Sequence, residues 1–178
     1  PAPPGTIVRR CADMLFPTLD FALFFVIVFL IAWELRRDLQ ARKLVLVFAS
    51  YFFYGYWDIR FTLLLAGSSL LNYAAGRIIG GLNDGALRKW VLGIAVALNL
   101  GVLAFFKYYG FFLASLADLL ASVNLERDLP FLEIILPVGI SFFTFQGISY
   151  LVDVYRRHVD ASRSVLDIFL YISFFPQL

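Results

Sequence analysis

The sequence holds one cysteine, one histidine and one methionine in 178 residues. A lone cysteine, Cys11, excludes an intrachain disulfide and leaves the redox compartment unreadable. So few cysteine and histidine side chains also exclude a Cys/His cluster able to hold zinc. Charge is scarce: 16% of residues are Asp, Glu, Lys or Arg, against about a quarter in soluble domains. A net charge of +2 is too small to mark a nucleic-acid partner. The sequence has no glycine-rich phosphate loop, no paired carboxylates and no internal repeat. Its only low-complexity tract is Pro1-Ala2-Pro3-Pro4.

Apolar and aromatic residues are abundant. Hydrophobic residues make up 61% of the chain and aromatics 18%, with 20 Phe, and the mean hydropathy is +0.82. This composition is that of a polytopic membrane protein. Because a segment in lipid must satisfy its own backbone hydrogen bonds, the apolar runs read as helices of an all-α transmembrane bundle. Residues 1–13 differ from the rest. Met14 directly precedes the first apolar run, so the functional start is expected at Met14, with 1–13 an upstream extension or fragment edge outside the fold.

Five spans and the start of a sixth follow. The first is about 19–35, an uncleaved span because Arg36 and Arg37 follow it. The second, about 44–57, covers only ~21 Å and ends in the aromatic run Tyr51-Phe52-Phe53-Tyr54-Gly55-Tyr56-Trp57. It is either a short span or half of a re-entrant hairpin. The third, about 61–80, carries Ser68, Ser69, Asn72 and the small pair Gly76 and Gly80, which points to close packing; Asn72 is also a candidate site residue. The fourth, about 89–108, is expected to end near Gly110, with a surface amphipathic helix over 111–121. A loop over 122–130 leads to the fifth span, about 132–155, started or kinked by Pro137 and Gly139. The sixth begins near Leu166.

Loop charge orients these spans. Ten of the 15 basic residues follow spans one, three and five: Arg36, Arg37, Arg42, Lys43, Arg77, Arg88, Lys89, Arg156, Arg157 and Arg163. The loops after spans two and four carry only Arg60 and Arg127. The positive-inside rule therefore expects the basic loops in the cytoplasm and the N-terminus outside, in a cell (inner) membrane.

The fifth span carries the polar groups of interest. Gln146, Ser149 and Asp153 lie three and four residues apart and share one helical face, with Tyr150 a turn beyond Gln146. Lipid gives such groups no partners, so the stripe is expected to turn inward. There it serves either as inter-helix glue or as the lining of a cavity or substrate path. Lys107 lies 18 residues, or ~27 Å, from Lys89. It reads as an interfacial anchor that snorkels or as a functional lysine. His158 reads as an ordinary exposed loop histidine. No nucleophile is placed beside it, so no catalytic constellation is found.

Leu136-Pro137-Val138-Gly139-Ile140-Ser141-Phe142-Phe143-Thr144-Phe145-Gln146, continuing through Ser149-Tyr150-Leu151-Val152-Asp153-Val154-Tyr155-Arg156, resembles the signature of the bacterial membrane-bound O-acyltransferase family, in its alginate O-acetyltransferase-like branch. Met14-Leu15-Phe16, the run from Ala49 to Trp57, Asn99-Leu100, Phe106-Lys107-Tyr108-Tyr109 and Phe174-Phe175-Pro176-Gln177-Leu178 agree with it. The resemblance runs from Met14 to the end. It implies a ring of tilted helices around a tunnel and acyl transfer from a thioester donor to a hydroxyl of an exported polysaccharide. It also implies partner proteins of a polysaccharide-modification system and no cofactor. The family's catalytic histidine lies in the later half of a much longer chain. His158 does not match it, so this stretch is expected to be the N-terminal scaffold, inactive alone. Two rivals remain open at the level of sequence: a transporter or channel subunit, and D-alanyl transfer to teichoic acid.

Overall fold

The computed structural model describes residues 19–57, 59–122 and 139–177. Among these, every regular element is a helix: α1 (Leu19–Glu34), a single 3-10 turn (Leu35–Arg37), α2 (Leu39–Trp57), α3 (Ile59–Gly81), α4 (Gly85–Ser122), α5 (Ile140–Arg156) and α6 (Val165–Ser173). The expectations for residues 1–13, Met14, Cys11, Pro137 and the loop beyond Ser122 lie outside the described residues.

Local chemistry sets the helix starts. Asp38 breaks from the preceding turn into extended backbone. Its Oδ1 accepts from the backbone N–H groups of Gln40 and Ala41 at 3.0 and 3.1 Å, which caps α2. Asp84 caps α4 in the same way, accepting from the Ala86 N–H at 2.8 Å. Gly139 begins α5 at φ 78°, a left-handed conformation that glycine adopts without steric cost.

α3 is the hub, packing against α2, α4, α5 and α6. α5 lies against α3 and α4, and α6 against α2, α3 and α5. The core between them holds Leu65, Ile79, Ala95, Ile140, Phe143, Leu151, Val154, Ile168 and Ile172. α1 joins from the side through a second cluster in which Val28, Ala49 and Phe175 are buried with Phe21, Phe24 and Phe53 around them.

The outward surface is largely hydrocarbon. Phe48, Leu63 and Trp90 are each about 70% exposed, which suits lipid and not water. Within α4, Gly85–Tyr109 is long and apolar enough to cross a membrane. The molecule is an all-α membrane helical bundle.

Two helices differ from their sequence expectations. α2 starts at Leu39 rather than near residue 44, and its 19 residues span about 28 Å. Arg42 and Lys43 belong to its first turns, where Lys43 pairs with Asp167 of α6 at 2.5 Å. α4 runs unbroken through Gly110 to Ser122, 38 residues in all, so 111–121 is not a separate surface helix. A lone glycine costs a helix only about 1 kcal/mol relative to alanine, and the Phe, Leu and Ala residues on both sides continue the helix without a proline to stop it.

The fold gathers the ten basic residues at one end of the bundle. The Lys43–Asp167 pair joins the start of α2 to the start of α6. Tyr73 near the end of α3 donates to the Arg163 carbonyl at 3.3 Å. Arg88 near the start of α4 reaches the last turn of α5 and donates to the carbonyls of Val154 and Tyr155 at 3.2 and 2.8 Å. These carbonyls are among those a helix C-terminus leaves unpaired, and the cation also complements the helix dipole.

Candidate functional site

α5 buries one continuous side: Ile140, Phe143, Thr144, Gly147, Tyr150, Leu151 and Val154. Gly147 sits at the centre of its contact with α3. A Cβ there would lie 2.5 Å from Asn72 Nδ2, so only glycine lets α5 approach this closely. Asn72, fully buried on α3, exchanges amide hydrogen bonds with Asn99 of α4: Nδ2 to Oδ1 at 3.1 Å one way and 3.3 Å the other. Each also donates back to its own helix, Asn72 to the Ser68 carbonyl and Asn99 to the Ala95 carbonyl, both at 2.9 Å. The two amides thus form a closed polar junction among three helices.

Tyr150 occupies a second junction. Its ring lies over Gly76, where an added Cβ would approach to 2.7 Å, and Gly80 similarly admits Ala161. The Tyr150 hydroxyl accepts from the Ser162 N–H at 3.1 Å. The small-residue pair of the third span therefore does pack closely, against one tyrosine ring and the α5–α6 loop.

Gln146, Ser149 and Asp153 share a face, but not the one turned into this bundle. Ser149 is exposed and the other two are half-buried beside α6. Among the described helices the expected inward stripe is instead turned outward, because the close fits of Gly147 on Asn72 and of Tyr150 on Gly76 set which way α5 is turned. The apolar series Ile140, Phe143, Gly147, Tyr150, Val154 takes the α3–α4 groove, and the stripe lies more than a quarter-turn away. Gln146 Nε2 donates to the Tyr171 carbonyl at 2.7 Å, in the last turn of α6. Asp153 lies within electrostatic reach of the same tyrosine.

His158 has an acidic neighbour that sequence reasoning did not give it. Arg157 takes a left-handed conformation, φ 61°, at the end of α5. This folds the loop back so that His158 N–H meets the Asp153 carbonyl at 3.0 Å. Its Nδ1 stands 3.8 Å from Asp153 Oδ1, with the imidazole side chain 65% exposed. That distance is too long for a hydrogen bond. Lys107 is exposed on α4, its Nζ 5.9 Å from the Tyr108 ring centre, and makes no ion pair with a described residue.

The structure thus brings Asn72 and Tyr150 into buried junctions, collects Gln146, Ser149 and Asp153 on an outward edge, and leaves Lys107 apart. Sequence reasoning did not assign Asn99 or Arg88 a place in these junctions. Asn99 stands 27 residues from Asn72, too far for any local period to pair them. Arg88 read as a surface marker, although it is 8% exposed with its guanidinium 5.5 Å over the Tyr155 ring. Its signal was a basic residue four positions after a capping aspartate. Among the described residues no group of His, Cys, Asp or Glu could hold a metal ion.

Comparison with known proteins places these helices. The chain is 38% identical over 169 residues to the probable alginate O-acetylase of Pseudomonas aeruginosa, covering 93% of this chain and 32% of that protein. It is 37% identical to the probable alginate O-acetylase of Azotobacter vinelandii, covering 93% of this chain and 33% of that one. It is 35% identical to the peptidoglycan O-acetyltransferase of Helicobacter pylori, covering 76% of this chain and 29% of that protein. The chain spans about a third of the length of these curated relatives. No family model matches the chain, and no solved structure matches it. Over 93% of its length the chain is similar to alginate O-acetylases, in agreement with the membrane-bound O-acyltransferase resemblance of the stretch 136–156.

Proposed function

We propose that this chain is the N-terminal part of a membrane-bound O-acyltransferase that transfers an acyl group, most simply acetyl, to hydroxyl groups of an exported polysaccharide such as alginate. The carrying observation is the match to alginate O-acetylases over 93% of the chain. On this reading the donor is a thioester, and a neutral imidazole acts as general base on the acceptor hydroxyl. That histidine belongs to the longer protein. His158 is not it, its imidazole side chain being 65% exposed on the loop after α5, and the segment alone is inactive.

Its task is to hold one wall of the acyl-transfer path. Gln146, Ser149 and Asp153, with Tyr150 behind them, form the polar part of that wall. The Asn72 junction fixes its distance from α3, and Lys107 anchors the opposite end at the interface. The end bearing the ten basic residues lies in the cytoplasm of a cell-membrane protein and the N-terminus outside, as loop charge favours. Proteins of a polysaccharide-modification system would present the acceptor.

The test is genetic and chemical. The full-length protein carrying this segment is expressed in cells that make alginate but lack its O-acetylase, and alkali-released acetate is measured on the purified polymer. Restored ester acetate is expected. Polymer that stays unacetylated while the protein accumulates normally in the membrane would overturn the reading.

A further inference from the structure

The basic end of the bundle is poorly neutralised. Of its ten basic residues, only Lys43 has a carboxylate within 4 Å among the described residues, that of Asp167. Asp153 stands instead beside His158. Two of the unpaired cations are brought together by the loop between α5 and α6, because three consecutive residues of that loop are fastened to neighbouring helices. Ala161 fills the space left by Gly80, where an added Cβ would approach to 2.5 Å. The Ser162 N–H donates to the Tyr150 hydroxyl at 3.1 Å. The Arg163 carbonyl accepts from the Tyr73 hydroxyl at 3.3 Å. Arg163 is thereby held against the last turns of α3. Arg77 follows Tyr73 by one turn of the same helix and lies within electrostatic reach of the Tyr150 hydroxyl. Both arginines are exposed. Asp160 is the one acid in the loop 157–164, and it pairs with neither.

The surface that leads to this pair is apolar. Leu63, Gly67, Leu70, Ala74 and Ile78 form the exposed side of α3, and Arg77, two turns beyond Leu70, continues it. Nothing stands over Gly67, which leaves a shallow place between the two leucines. From Leu63 to Arg77 is 14 residues, about 21 Å of helix, more than one leaflet's half of a ~30 Å hydrocarbon core. A track of that length ending at two unpaired guanidinium groups matches a molecule with hydrocarbon chains and an anionic phosphate. Guanidinium takes phosphate through paired N–H bonds. A free phosphate would make no use of the track.

We propose that Arg77 and Arg163 hold the headgroup phosphate of an anionic phospholipid, whose acyl chains lie along Leu63, Gly67, Leu70 and Ala74. Bound there, one lipid ties the α5–α6 loop to the end of α3. The site is independent of which polymer is acylated.

The test uses the full-length protein in neutral-detergent micelles, with bound radiolabelled phosphatidylglycerol read by scintillation proximity at fixed ionic strength. Unlabelled phosphatidylglycerol should displace the label, whereas phosphatidylcholine and inorganic phosphate should displace little of it. Arg77→Gln and Arg163→Gln should each weaken binding about five-fold, the usual worth of one basic side chain at an anionic membrane surface. Arg37→Gln, which removes an exposed cation from the same end of the bundle, should leave binding unchanged. An equal loss in Arg37→Gln would mean diffuse charge and no site. Unchanged binding in Arg77→Gln and Arg163→Gln would overturn the proposal, as would displacement by phosphatidylcholine or inorganic phosphate as effective as by phosphatidylglycerol. If Arg163→Gln loosens the loop and fails to accumulate, Arg77→Gln carries the test under the same criteria.

Discussion

Asn72 and Asn99 donate to each other's amide oxygens across α3 and α4, and neither has appreciable contact with solvent. This reciprocal pair, backed by Gly147 of α5, fixes how three helices meet.

Replacing either asparagine by alanine leaves the other amide with one unpaired donor and one unpaired acceptor. Each single variant should lose about 1 kcal/mol, within the range measured for inter-helix hydrogen bonds in membranes. The double variant should lose less than the sum, because its second substitution removes a group already orphaned. Gly147→Ala forces a methyl group onto Asn72 and should cost about 1–3 kcal/mol. Asn72→Ala should relieve most of that cost. Unfolding midpoints in detergent supply the comparison; Gly147→Ala being equally harmful in both backgrounds would show that the asparagine is not what keeps position 147 small.

Arg88 should be worth more than its place in a basic loop suggests. Arg88→Met removes two charge-assisted bonds to the end of α5, about 1.5–3 kcal/mol apiece at most. Arg88→Lys should recover only part of the loss, since an ammonium cannot stack flat on the Tyr155 ring as the guanidinium does. Thermal midpoint and the rate of proteolytic cutting within 157–164 should change together. Unchanged values in Arg88→Met would refute the tie.

Gln146→Ala and Asp153→Ala should lower polymer acetylation by the full-length protein while folded yield stays near normal. Both side chains sit at an outward edge with few local contacts to lose. His158→Ala should keep most activity, because its imidazole is solvated and makes no hydrogen bond to Asp153. Acetate per polymer residue, divided by folded protein in detergent, is the quantity to compare. Loss of activity in His158→Ala alone, at normal yield, would reverse the assignment.

The basic end should face the cytoplasm. In a Cys11→Ser background, cysteine at the exposed position Asp160 should resist a membrane-impermeant thiol reagent added to intact cells. Cysteine at Ser122, the far end of α4, should react. Labelling at 160 and not at 122 would invert the topology.

Helix identity was legible because apolar runs and basic punctuation are strong signals in a membrane protein. Their ends were less so. The start of α2 hid behind Arg42 and Lys43, which read as loop until Asp38 is recognised as a cap and Asp167 as the partner of Lys43. Gly110 suggests a break in α4, but a single glycine costs less than the helix formers on both sides of it contribute. For the candidate site, spacing correctly grouped Gln146, Ser149 and Asp153 on one face. A helical period fixes relative angles, however, and not which way the helix is turned. That followed from the tight fit of Gly147 on Asn72 and Tyr150 on Gly76, contacts between residues scores of positions apart.

Phe175 gives the bundle an order in time. Its ring is buried among Phe21, Phe24, Phe25 and Phe53, at centre distances of 5.2 to 6.3 Å, and its N–H reaches the Ser50 hydroxyl at 3.2 Å. α1 and α2 stack on each other through Phe24, Phe52 and Phe53 as soon as both are made. The slot between them stays open until residue 175 leaves the ribosome. At about 5–20 residues per second, the first hairpin waits roughly 6–24 s in the bilayer with a phenyl-sized vacancy on its inner side. During that interval lipid tails must fill it, and the final turn of the described chain closes the nascent hairpin by expelling them.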